Sequence, residues 1–374
     1  MTAFQSALWQ RIQASGFTTL AVMGMTKNTG KTVTLNHLLA QAAASRIGVG
    51  VTSIGRDGEE RDQVFFVPKP PVLVWPGTLA VTARDTLPRA KVRWKRIDST
   101  GIDSPMGEIL VVKVLDYGEM EIAGASRGSD QRKIISQLKQ CGAALVLLDG
   151  ALGRSHHASP AIADGVILAT GAAIGGGMAD VIRKTRDRLA ILGIAQADAA
   201  VRQLCDPVFA KGGVGVWDGQ GKPLFLANIP TLNGAPALMQ YAQADIRTIA
   251  VSGAVGRSLW RALLTLASSK PGLTVVVNDG TKLFVEAADL VASRQLGARL
   301  LAYRGIHLIG ITLNPFSPLG GSFIAQEFLL AARQAFGDYS VSDVMLEQRN
   351  DFAGQTAAAQ RQALSPTHEI QEMT

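Results

Sequence analysis

The feature that most constrains this chain is the stretch GMTKNTGKT, Gly24 to Thr32, because its two flanks have different periodicities. TTLAVMG before it is a continuous apolar run of strand length, and TVTLNHLLAQAAA after it has the spacing of a helix. A glycine loop between a strand and a helix is the arrangement that cradles phosphate groups. Backbone N–H groups at the helix start are unpaired, and the helix dipole favours an anion there. The usual phosphate-loop pattern separates its first glycine from Gly-Lys-Ser/Thr by four residues. Here Gly24 stands one place earlier, so Met25 occupies the customary first-glycine position. The part with direct phosphate roles is intact: Gly30 for close backbone approach, Lys31 for the β and γ phosphates and Thr32 for Mg²⁺. Thr26, Lys27, Asn28, Thr29 and Thr34 complete the candidate nucleotide-binding set.

Carboxylates for a metal shell are sought at strand ends beside such a loop, where parallel sheets bind their ligands. The strand GVGVTSIG delivers RDGEERD, which clusters Asp57, Glu59, Glu60 and Asp62; Asp57 is the candidate to ligate the metal or orient water. The strand ALVLLDG ends in Asp149, the form expected of a carboxylate that reaches Mg²⁺ through water. GALGRSHH follows, with Arg154 placed to contact a γ phosphate or a substrate carboxylate, and with His156 and His157 open to a surface, a metal or an acid/base reading. Asn314, at the end of ITLN, has an amide suited to a purine edge or to the turn before Pro315. Lys31, Asp57 and Asp149 are the catalytic candidates, and Thr32, Asp57 and Asp149 the metal candidates.

With 374 residues and 47% hydrophobic composition, the chain is long enough for a large α/β core. The order strand, loop, helix, strand over 18–57 predicts a parallel sheet with right-handed crossovers. Residues 60–127 are β-prone runs broken by Pro, Gly and Asp, expected to form an antiparallel insertion. The α/β rhythm resumes with a helix over SDQRKIISQLKQC, for which Ser129 is the expected N-cap, and with the strands AALVLLDG and DGVILATG. A soft boundary near 205 divides a first domain, 1–204, from a second α/β region, 205–374, whose stretch 205–245 reads as loop-rich. Phe4, Leu8, Trp9 and Ile12 share one face of an N-terminal docking helix.

Cys141 and Cys205 match no metal or disulfide spacing and are expected reduced and packed. Neither a secretory leader nor a run long enough to cross a membrane is read in the sequence, so a cytoplasmic chain without a membrane partner is expected. Net charge is +7. If its densest basic run, PRAKVRWKR, is a strand, Arg89, Lys91, Arg93 and Lys95 lie on one face, either solvated or set against an acidic partner or nucleic acid. No nucleic-acid-binding signature accompanies it, and nucleic acid is not the expected partner.

The loop GMTKNTGKT, the strand end LLDGALGR and the strand-loop VILATGAAIGGG together resemble the dethiobiotin synthetase branch of P-loop proteins over about 18–195. That branch places a lysine after its second strand, where this chain has TSIGRDGEE; Lys69 lies farther on. A closer resemblance is to the P-loop subunit of the lysine 5,6-aminomutase reactivase, carried by KNTGKTVTLNHLL, TSIGRDGEERD and KPPVLVWPGTLAVTA. It implies an ATPase that uses ATP and Mg²⁺ to drive release or exchange of damaged cobalamin on an adenosylcobalamin-dependent aminomutase, with a second reactivase subunit alongside. By that resemblance Lys31 and Thr32 hold phosphate and Mg²⁺, Asp57 senses the γ phosphate, and the β-rich insertion is the lever that touches the mutase. Two alternatives stay open at this stage: an ATP-dependent ligase or carboxylase acting on a small carboxylate, and a nucleotide-gated binding module. A homodimer is compatible with each.

Overall fold

The computed structural model describes residues 5–53, 71–150 and 159–347. The chain opens with α1 (Ala7–Ser15), β1 (Thr19–Gly24), α2 (Lys31–Ala44) and β2 (Val49–Ser53). Next come β3 (Val72–Val74), β4 (Leu79–Ala83), a short 3₁₀ turn at Arg84–Arg89, β5 (Trp94–Ser104), β6 (Gly107–Val114) and β7 (Gly118–Met120). They lead to α3 (Gly128–Gln140), β8 (Leu145–Gly150), β9 (Gly165–Gly171) and α4 (Met178–Leu192). The following stretch contains α5 (Ala199–Lys211), β10 (Val214–Trp217), β11 (Pro223–Ala227), α6 (Gly234–Met239), β12 (Thr248–Val251) and α7 (Arg257–Ser269). After these stand β13 (Thr274–Val277), α8 (Ala287–Gln295), β14 (Arg299–Ala302), β15 (Leu308–Asn314), α9 (Ala325–Ala335) and β16 (Val341–Ser342).

A nine-stranded sheet in the order β16-β15-β9-β1-β8-β2-β4-β6-β5 organises the molecule. From β16 to β4 every pairing is parallel, and β6 and β5 extend the sheet antiparallel. The central strands are apolar throughout because both of their faces are covered. Ala21, Met23, Val146, Leu148, Val166 and Leu168 face one core, with Ile134 and Leu138 of α3, Val181 of α4 and Phe328 of α9. Leu20, Val22, Leu145, Leu147 and Ile167 face the other, with Leu8 and Trp9 of α1 and Leu35, Leu38 and Leu39 of α2. Parallel strands with helices on both faces put all the strand C-termini on one edge, and the glycine loop stands there.

The expected docking helix is α1, with Leu8, Trp9 and Ile12 buried; Phe4 lies outside the described residues. Ser6 Oγ caps it by accepting from the Trp9 N–H at 3.2 Å, and the Trp9 ring N–H donates to Ser45 Oγ at 2.9 Å. Ser6 Oγ also shares a 2.9 Å hydrogen bond with Nε2 of buried His37, which locks α1 to α2.

Three local expectations differ from the structure. The insertion is not purely antiparallel: β4 joins β2 in parallel over Gly50↔Leu79 and Val51↔Ala80, while β4–β6, β5–β6 and β3–β7 are antiparallel. Farther along, Ala123 fills the gap between β2 and β4: its N–H donates to Val81 at 2.8 Å and its carbonyl accepts from Ser53 at 2.9 Å. Helix α3 starts at Gly128 with Arg127 at the N-cap position, so Ser129 falls inside its first turn. The basic run is not one strand, because Arg89 ends the 3₁₀ turn and β5 starts at Trp94. Its charges pair locally: Arg89 with Glu121 at 2.6 Å, Lys91 with Glu119 at 2.7 Å and Arg93 with Asp116 at 2.8 Å. The Arg93 hydrogen bonds hold the Asp116 carboxyl below its usual range.

A second sheet of five strands, ordered β11-β10-β12-β13-β14, is parallel over β12-β13-β14 and antiparallel through β10 and β11. The stretch expected to be loop-rich thus holds the end of α5, β10, β11 and α6. The chain does not stay in this second unit. Beyond residue 307 it returns to the first sheet, where β15 pairs with β9 and β16 with β15. Helix α4 lies between the sheets: Val181 and Leu189 are in the first core, and Ile191 joins the second. Among the described residues no helix is long and apolar enough to cross a membrane.

Candidate functional site

Gly24 closes β1, and five residues later Gly30 takes φ +90° as α2 begins at Lys31. Asn28 is also left-handed, with φ +61°. These two positions turn the chain tightly enough to bring it over the helix start. Gly30 caps α2 without a side chain, so the cap itself leaves the first-turn amides of this fourteen-residue helix open to an anion.

The early position of the first glycine has a steric reason. A Cβ on Gly24 would stand 2.8 Å from Cγ and Cδ of Lys31 and 2.7 Å from Thr29 Oγ1. The lysine stem therefore folds back across the end of β1, the direction that long side chains take at a helix start. Thr29 tightens the same turn, donating to the Thr26 carbonyl at 2.9 Å. The Met25 N–H donates to the Ala169 carbonyl at 2.9 Å and ties the loop to β9.

Thr32 is buried in the first turn of α2. Asp149 is 5% exposed. Strand register sets it level with Val22 of β1 on one side and Ser53 of β2 on the other. Lys31, Thr32 and Asp149 thus converge on the C-terminal edge at adjacent strands, with Lys27 exposed on the loop. A hydroxyl and a carboxylate are hard oxygen donors of the kind Mg²⁺ takes, one or two at a time, alongside phosphate oxygens. Among the described residues no group of three or more His, Cys, Asp and Glu converges in the manner of an all-protein metal cage. Asp57, Glu59, Glu60, Asp62 and Lys69, and likewise Arg154, His156 and His157, lie outside the described residues.

Two candidates have other partners. Thr34 Oγ1 shares a buried 2.7 Å hydrogen bond with Thr312 Oγ1, fastening α2 to β15. Asn314 Nδ2 donates to the Asn28 carbonyl at 2.8 Å, and its Oδ1 accepts from the Phe316 N–H at 3.2 Å. Of the two readings open for Asn314 from sequence, a purine edge or the turn before Pro315, the Phe316 bond is that of the turn, while the amide nitrogen braces the loop. The Asn314 backbone is braced in turn: a Cβ on Gly171 would lie 2.1 Å from the Asn314 carbonyl. The sequence reading missed Ser53, Thr312 and Ser159. Ser159 Oγ donates at 2.6 Å to Asp279, a fully buried carboxylate after β13 that also accepts from the Thr281 N–H at 2.8 Å. The only sequence cue for such residues is a polar side chain next to an apolar run, which turns and strand ends share. No family model, curated protein or solved structure matches this chain.

Proposed function

We propose that this protein is a Mg²⁺-dependent ATPase of the dethiobiotin-synthetase-like P-loop class. Its client, by the resemblance described above, is an adenosylcobalamin-dependent aminomutase, which it reactivates together with a second subunit by driving out damaged cobalamin. The observation that carries the nucleotide reading is the joint placement of an uncapped helix start, Lys31 folded over Gly24, and buried Asp149 one strand away.

In this reading the α2 amides and Lys31 Nζ bind the β and γ phosphates, Thr32 and Asp149 hold the metal, and Asp57 orients the attacking water. Bound Mg²⁺ supplies charge neutralisation on the phosphate oxygens. The loop needs little rearrangement, because Met25, Thr29 and Asn314 already fix its backbone. Ser53 stands level with Asp149 and donates to the Ala123 carbonyl, so a change at the γ phosphate can be passed to the Ala123 segment of the insertion.

The test is ATP hydrolysis by the full chain with Mg²⁺, alone and with inactivated mutase, partner subunit and fresh adenosylcobalamin. Mutase recovery that requires ATP and disappears in Lys31→Ala is expected, with triphosphate binding weakened at least about a hundredfold. Wild-type affinity in Lys31→Ala would remove the phosphate-loop assignment. Binding without mutase recovery would remove the client alone. Turnover triggered by a small carboxylate without the mutase would point to ligase chemistry.

A further inference from the structure

A cleft of about 560 Å³ is lined by the Ala123 segment, the β5–β6 hairpin and the start of α3. That volume falls among small-molecule sites, which span about 300–1,000 Å³. Its lining mixes polar and apolar groups: Ile102 and Met106 of the β5–β6 hairpin are half-buried beside Thr86, Ser104 and Ser126, and buried Ala83, Ile109, Ala123 and Ala125 lie behind them. Its mouth is charged, and the charges sort themselves. Glu121 is taken by Arg89 at 2.6 Å and Asp130 by Lys133 at 3.1 Å. Two charged lining residues are left without an ion-pair partner among the described residues, Arg127 at the start of α3 and Asp103 on the hairpin. Arg127 is the N-cap residue of α3 and makes no side-chain cap hydrogen bond, so it leaves the first-turn amides uncapped.

A cation and an anion on different elements, with two half-buried apolar side chains beside them, match a ligand with the reverse arrangement. We propose that this cleft binds a small zwitterionic amino carboxylate. Its carboxylate is met by Arg127 and the α3 amides, its ammonium by Asp103, and its short hydrocarbon portion by Ile102 and Met106. The pairing favours ligands that carry both charges, because a single-charge ligand engages only one of the two groups. The cleft is lined in part by the segment whose Ala123 carbonyl accepts from the Ser53 N–H at the end of β2.

The experiment is calorimetric titration of the full chain with glycine, γ-aminobutyrate and ε-aminocaproate, with caproate and hexylamine as single-charge controls. At least one amino carboxylate is expected to bind about tenfold or more tightly than either control. Arg127→Met and Asp103→Asn, both substitutions of exposed side chains, are each expected to weaken that binding about tenfold, and the double variant to abolish it. Lys31→Ala is expected to leave it unchanged, which separates this site from the nucleotide reading. Absence of binding by every amino carboxylate up to about 10 mM would overturn the proposal. Equal binding of caproate and ε-aminocaproate, or binding indifferent to both variants, would overturn it too.

Discussion

His37 shows how one buried side chain sets a condition on the fold. It sits on α2, 2% exposed, and burial pushes its pKa down to about 4. Above pH ~6.5 the imidazole is neutral in both folded and unfolded chains and contributes nothing to pH dependence. As pH falls from ~6.5 toward ~4, the unfolded chain takes up a proton that the folded chain refuses, so stability declines. The decline attributable to this residue approaches roughly 3 kcal/mol. Urea unfolding at about pH 7.5 and about pH 5 measures it, and His37→Gln should flatten the difference. An equal loss in variant and wild type would assign the pH dependence to other groups. The two cysteines behave as expected from sequence: Cys205 is buried and its thiol is pushed up to about 12, and Cys141 is free and half-buried.

Among the elements, the long apolar strands and amphipathic helices could be read from the sequence, since burial on both faces of a parallel strand leaves little room for polar residues. Thus TLAVMG, LVLLDG, GVILATG and LIGITLN are strands β1, β8, β9 and β15, and RSLWRALLTLASS is α7. Short pieces were not legible. Helix α5 carries Pro207 and was read in part as loop, while α8 and the four-residue β14 lack a periodic stretch long enough to register. In the site, Lys31, Thr32 and Asp149 followed from motif and strand-end logic, but the bracing by Asn314 and Thr312 depends on a strand some 280 residues away, with pair separations of 286 and 278. The Ala123 segment is of the same kind. It enters between β2 and β4 so closely that a Cβ on Gly124 would lie 1.8 Å from the Ser53 carbonyl. Gly124→Ala is therefore expected to cost about 3 kcal/mol or more in chemical unfolding. A variant as stable as wild type would show that the segment can move aside freely.

On the scale of the whole molecule, the first sheet is closed by the last strands of the chain. A chain ending at Arg304 retains the strands of the second sheet but loses β15 and β16, exposing β9 as an apolar edge and removing Thr312 and Asn314. Such a truncation is expected to lose the cooperative unfolding of the first sheet, read by circular dichroism against urea, and to bind no nucleotide. A cooperative transition with full nucleotide binding would show that β1, β8 and β9 suffice. The Ser159–Asp279 bond joins the sheets as well, and Arg188 of α4, buried and with its charged form disfavoured by burial, lies in the field of the same carboxylate. The late position of Asn314 also has a consequence in time. A ribosome releases the glycine loop early, but the residue that clasps it emerges only after the second sheet has been made. The nascent chain thus carries its glycine loop without the brace until β15 has been made, so the clasped form of the loop is a late product of synthesis.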